Sequence, residues 1–187
     1  MSSPDRRVVL AGSWRLAAGF AAASLLAGCF QPLYGERTLD GGPSIKTALQ
    51  QVEVDQIPAP NGTPEARIAM DLRNKLIFDL AGATQLPPTH KLSIRITSTR
   101  VSIIVDTATA RPDVENYGLT AIYTLLDIRT GRPVITDQTF TRVSYDIPGQ
   151  EQRFARQRAL REAESRAAEV IAMNIKTRLA SYFVAGS

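Results

Sequence analysis

The sequence predicts an α+β fold: a two-layer sandwich in which a mixed sheet of about four strands, in the order β-α-β-β-β-α, carries two helices on one face. Three observations lead there. Period-two alternation recurs in long segments between His90 and Tyr145, a Thr-Pro helix start precedes them, and neither Gly nor Pro interrupts Gln150 to Phe183. With 44% hydrophobic and 21% charged residues in a chain of 187, the composition is that of a folded domain, not of a disordered or collagen-like chain.

Residues 45–187 account for the single predicted domain. From Leu49 to Ile57, Val52 and Val54 alternate with polar neighbours, a strand that Pro58 and Pro60 end. Thr63 and Pro64 then read as the N-cap and first residue of a helix. Its apolar positions Ala69, Leu72, Leu76 and Leu80 recur every three or four residues, Ile68 and Ile77 widen the stripe, and Gly82 ends it.

From His90 to Val105, Leu92, Ile94 and Ile96 alternate with Lys91, Ser93, Arg95, Thr97 and Thr99, after which the apolar parity flips to Val101, Ile103 and Val105. Such a flip predicts an extra residue, hence a bulge or bend at Ser98 to Arg100. Asp106 to Asn116, containing Arg111-Pro112, reads as a long loop, a usual place to look for function.

Tyr117 to Ile128 is the third strand, apolar on both parities, so that either the Tyr117, Leu119, Tyr123, Leu125 set or the Ile122, Leu126, Ile128 set must face outward. Arg129 to Arg132 is a turn. Val134 to Tyr145 returns as the fourth strand, with Ile135, Val143 and Tyr145 opposite in parity to Phe140, and Pro148-Gly149 stops it. Gln150 to Phe183 is one long helix whose stripe runs Leu160, Ala163, Ala167, Ile171, Ile175, Leu179, Tyr182. The first strand is expected beside the meander through a right-handed crossover.

The chemistry inventory is sparse. One Cys and one His admit no disulfide within the chain and no zinc site built from those residue types alone. His90, after Pro87-Pro88 at a strand edge, reads as a surface histidine, and Glu162 and Glu164 as charges on a solvated helix face. No phosphate loop or metal-ligand spacing occurs, so the expectation is no enzyme, no metal and no cofactor. Half of the +4 formal charge lies in residues 1–28, where Arg6, Arg7 and Arg15 face only Asp5. The remainder is too balanced for nucleic-acid binding through bulk charge.

Those same N-terminal arginines precede an apolar run from Leu16 to Leu26, shorter than the roughly 20 residues a membrane-spanning helix needs. Residues 1–28 therefore read as a removable export signal. Leu26-Ala27-Gly28-Cys29 resembles the lipobox of bacterial lipoproteins, which implies a diacylglycerol thioether and an N-acyl chain on Cys29, enough acyl chains for stable anchoring. Phe30 in place of Asp after the Cys resembles the outer-membrane sorting signal. Residues 29–44, with Pro32, Gly35, Gly41, Gly42 and Pro43, read as the lipidated tether.

At the start of the last helix, Arg153, Arg156, Arg158 and Arg161 crowd a terminus where cations are disfavoured. Either an external anion offsets them, for which the planar forks of arginine suit phosphate, or Glu151, Glu162 and Glu164 do so internally.

Several segments together resemble the alphaproteobacterial form of the LptE family of LPS-assembly lipoproteins: Leu26-Ala-Gly-Cys-Phe-Gln-Pro-Leu-Tyr-Gly35, Asp71-Leu-Arg-Asn-Lys-Leu76, Ala121-Ile-Tyr123 with Asp127-Ile-Arg-Thr-Gly131, and Arg142-Val-Ser-Tyr145. The Gly that relatives commonly place between Cys and Phe is absent. The resemblance implies a protein anchored on the periplasmic side of a Gram-negative outer membrane. It would plug an LptD-type β-barrel one to one, assist the barrel's assembly and contact lipopolysaccharide (LPS) during its insertion in the outer leaflet. By position, Arg111 and Arg153 are the nearest matches to the family's LPS-binding basic residues, and Arg156 joins them as a candidate phosphate contact from the charge crowding at the start of the last helix. Two other classes fit parts of the sequence: an auxiliary lipoprotein of a phospholipid-transport system, which would co-purify with an inner-membrane transporter, and a lipid-anchored hydrolase, against which the Cys/His inventory counts.

Overall fold

The computed structural model describes residues 44–82, 86–106, 111–147 and 153–185, with the backbone alone at 104–106 and 111–113. Residues 1–28, Cys29 and the tether up to residue 43 lie outside this range, as do Pro148, Gly149 and the expected helix start at Gln150. The chain builds α1 (Ile45–Gln50), β1 (Val52–Val54), α2 (Pro64–Ala81), β2 (His90–Asp106), β3 (Arg111–Asp127), β4 (Pro133–Asp146) and α3 (Arg153–Val184). The strands form one mixed sheet in the order β1-β2-β3-β4, with β1 parallel to β2 and the rest antiparallel. The fold is the α+β class read from the sequence, with three helices where two were expected.

Local chemistry accounts for the helix boundaries. Thr63 Oγ1 accepts the Ala66 N–H at 3.2 Å, Pro64 opens α2, and Gly82, at φ 59°, closes it with an N–H to Phe78 O bond of 2.9 Å. Ser44 caps α1 in the same way, accepting from Thr47 N at 3.1 Å. Here the predicted strand from Leu49 to Ile57 is corrected to a short helix followed by three strand residues. Ile45, Ala48 and Leu49 recur at helical spacing and are all buried, so an amphipathic turn competes successfully with the strand.

On the helix side of the sheet the core is continuous. Leu92, Ile94, Leu119, Ala121, Tyr123, Leu125 and Ile135 meet Leu72 and Leu76 of α2 and Ile171, Ile175 and Leu179 of α3. Ala163, Ala167, Ala168, Ala172 and Ala180 are fully buried, and these small residues let α3 lie close to α2, β3 and β4 together. The two-sided apolar pattern of β3 is thereby resolved. The odd-numbered set from Tyr117 to Leu125 is core, while Ile122 is exposed on the other face.

Two expectations along β2 and β3 are corrected. The register runs unbroken from His90↔Asp127 to Ser102↔Glu115, and its shifts fall between Ser102 and Val105, so no bulge interrupts Ser98 to Arg100. Val101 and Ile103 are instead exposed, at 60% and 50%. Without an extra residue the alternation simply continues, so Val101 stays on the same outward face as Arg95, Thr97 and Thr99. Residues 111–116, read as part of a loop, are strand, pairing with β2 and, from Val114, with β4. The inward position there is occupied by Glu115, which hides the alternation.

Candidate functional site

The first candidate region is the end of the sheet where β3 begins, β4 ends and α3 starts. Glu115 and Tyr145 are register partners, both buried, and the Tyr145 hydroxyl donates to Glu115 Oε2. Arg156 of α3 reaches Glu115 Oε1 with Nη2 at 3.3 Å. Burial, and after it the bond to Glu115, pushes the Tyr145 hydroxyl up to about 12. Part of the cation crowding on α3 is therefore met inside the molecule, by an acid on another strand. Of the acids expected to do this, Glu162 pairs with Arg166 at 3.7 Å, Glu164 pairs with Arg67, and Glu151 lies outside the described residues.

Arg153 stands one turn before Arg156 and is exposed, without a hydrogen bond or ion pair among the described residues. Arg111 is the first residue of β3, in register with Asp106, and its side chain is outside the described set. The three arginines thus belong to one end of the fold, but only Arg156 has a defined partner there.

Glu164 corrects a second reading. It is 4% exposed, not solvated, and Arg67 of α2 donates to its Oε2 at 2.5 Å. The pair borders an open cleft of about 370 Å³ between α2 and α3, shared with Asp71, Asn74 and Arg161. Tyr117 of β3, 2% exposed, holds a hydroxyl with no hydrogen-bond partner among the described residues, and burial pushes that hydroxyl up to about 12. The nearby Ser98 hydroxyl donates instead to Glu65 Oε1 at 3.2 Å.

At the opposite end His90 is half-buried, not a free surface group. Its ring packs edge-on against Phe183 at 5.2 Å and Tyr182 at 6.5 Å, and its Nδ1 lies 2.9 Å from Thr89 Oγ1. Burial holds its pKa below the usual 6.5 against the opposing pull of Asp127. A base depressed on folding binds fewer protons folded than unfolded, so stability is full above about pH 6.5 and declines as pH falls below it. Denaturant titrations between pH 7.5 and 5 are expected to show this decline, with a slope of less than about one proton, and His90→Gln is expected to flatten it.

The uncovered sheet face is the second candidate region. Register places on it the rows Ser93–Thr124–Thr136, Arg95–Ile122–Gln138, Thr97–Thr120–Phe140, Thr99–Gly118–Arg142 and Val101–Asn116–Ser144. Phe140 is 64% exposed and Ile122 46%. Gly118 lies against Thr99, and a Cβ there would meet Thr99 Oγ1 at 2.5 Å, so a larger residue would have to turn that hydroxyl aside. At the β1 edge, Lys91 and Ser93 both contact Asp55, at 3.1 and 3.3 Å, and the bond to Lys91 lowers the Asp55 pKa. Among the described residues no three His, Cys, Asp or Glu side chains converge as metal ligands, and no helix is long and apolar enough to cross a membrane.

No family model and no curated protein matches the chain. Its fold, however, is that of solved lipoprotein structures. A candidate lipoprotein from Caulobacter crescentus CB15 superposes with a TM-score of 0.59 at 22% identity, covering 76% of this chain and 97% of that one. The rare lipoprotein B from Shewanella oneidensis superposes with a TM-score of 0.52 at 12% identity, covering 72% and 97%. Identities this low establish a shared fold.

Proposed function

We propose that this chain is an outer-membrane lipoprotein of the LptE type, held on the periplasmic side of a Gram-negative outer membrane by acyl chains on Cys29. It occupies the lumen of an LptD-type β-barrel one to one, supports the barrel's assembly and contacts LPS as it passes. The observation that carries this reading is the sheet with one face buried under helices and the other uncovered, rich in Thr, Arg and exposed Phe140 and Ile122. A hydrated barrel lumen offers hydrogen-bond partners to such a surface. The lipobox and the fold shared with lipoproteins support the same reading. The role is non-catalytic and uses no metal or cofactor beyond the covalent lipid.

Affinity purification of the tagged full-length chain from detergent-solubilised outer membrane, followed by mass spectrometry, tests it. The expected result is a stoichiometric outer-membrane barrel, with an interface well above ~2,000 Å² as permanent complexes have. Recovery of an inner-membrane transporter instead would assign the chain to phospholipid transport.

For LPS, Arg111, Arg153 and Arg156 are the proposed phosphate contacts, with Arg156 oriented by Glu115. Charge-assisted hydrogen bonds contribute roughly 1.5 to 3 kcal/mol each, so alanine at all three positions is expected to weaken LPS binding at least about tenfold in a titration at fixed salt. Unchanged affinity would remove these residues from the LPS site.

A further inference from the structure

Ion pairs hold some of the molecule's cations and leave others, Arg153 of α3 among them, without a partner among the described residues. On the helix side, Arg67 is held by Glu164, Arg156 by Glu115 and Arg178 by Asp137 at 3.0 Å. On the uncovered face, Lys91 is held by Asp55 at the β1 edge. Arg95 of β2 and Arg142 of β4, both exposed, have neither a hydrogen bond nor an ion pair among the described residues.

Their placement is specific. The Arg95 and Arg142 rows lie four residues apart along β2 and the two residues are separated by two strand spacings, so their backbones are roughly 16 Å apart. Between them runs the Thr97–Thr120–Phe140 row, with Ile122 beside Arg95. Two planar cations flank an exposed aromatic and an aliphatic side chain, all set among Thr hydroxyls. That is the make-up of a protein-binding patch, in which Arg and aromatic residues supply the anchors and a polar rim surrounds them. Acyl chains would need a continuous apolar strip, and here the hydroxyl rows interrupt it. Beside Arg95 an open cleft of about 650 Å³, lined by Gln56, Pro58, Ala59 and Pro60, leaves room for a side chain of the partner to reach the guanidinium.

We propose that the uncovered sheet face docks onto a protein surface that presents carboxylates opposite Arg95 and Arg142 and an apolar contact for Phe140. Guanidinium and carboxylate match as planar forks, and two such matches at this spacing fix the orientation of a flat sheet against its partner. The inference rests on the reading of the chain as a barrel plug. It assigns the face turned to the lumen wall and the charge that the wall carries there.

The test uses the full-length chain co-expressed with the LptD-type barrel of the same organism. A photo-crosslinker at Phe140 should trap the barrel, and R95E/R142E should lower affinity by about a hundredfold, whereas R95K/R142K should lose less. Both arginines are exposed, so thermal unfolding should be unchanged, which separates lost docking from lost folding. Arginine in place of the barrel carboxylates mapped by the crosslinks should restore binding of R95E/R142E. A wild-type complex that R95E/R142E forms equally well overturns the proposal and leaves the plug reading standing. If the wild type forms no complex, both fall. Vesicles of phosphatidylglycerol that bind the wild type and lose R95E/R142E, with the barrel complex unaffected, would show that the face reads lipid phosphate and would also overturn it.

Discussion

Cys29→Ala is expected to abolish lipidation completely and to leave an uncleaved or mislocalised precursor. Cys29 is the one thiol in the chain, and it follows Leu26-Ala27-Gly28 directly. No other side chain present can form the diacylglycerol thioether, because the thiolate is the nucleophile. Intact-mass measurement of the membrane fraction reads the outcome: the wild type begins at Cys29 and carries acyl chains, and the variant does neither. A wild-type N-terminus at another residue, or an unlipidated Cys29, would refute the anchor.

Arg67→Ala is expected to cost about 3 to 5 kcal/mol of folding stability, the largest effect among single surface-accessible substitutions. Arg67 is about half exposed, but the Glu164 carboxylate it holds is buried between α2 and α3, with a side-chain exposure of 5%. Removing the cation leaves a buried carboxylate without the one hydrogen-bond partner it has among the described residues. The double variant Arg67→Met, Glu164→Leu removes both charges and fills similar volume, and is expected to recover most of the loss. Urea denaturation of residues 30–187 gives both values. Equal stability of Arg67→Ala and wild type would mean that Glu164 finds enough water through the neighbouring cleft.

The features legible in the chain were those whose cause is local. Thr63-Pro64 and Gly82 bracket α2 because capping is decided within one turn, and the alternation in β2 and β4 and the stripe of α3 survive because each face has one environment along most of its length. The Arg129 to Arg132 turn needed only Gly131, at φ 67°. The predicted four-strand order followed from these elements.

What the local pattern misread were positions whose environment comes from residues distant in sequence. Glu115 breaks the alternation of β3 yet is core, because Tyr145 and Arg156, 30 and 41 residues away, satisfy its carboxylate. Glu164 looks like a solvent-facing helix charge yet is buried, because Arg67 reaches it from 97 residues away. A buried charge is tolerated only when a partner arrives, and no window of sequence contains that partner. The same reason governs the faces of β3: both parities are apolar, and packing of α3 alone put Tyr117 and Leu119 inside and left Ile122 out. Composition and periodicity could name the strands and helices. Which arginines are neutralised, and which remain free on the uncovered face, was decided only when the sheet brought β2 and β4 into register across β3.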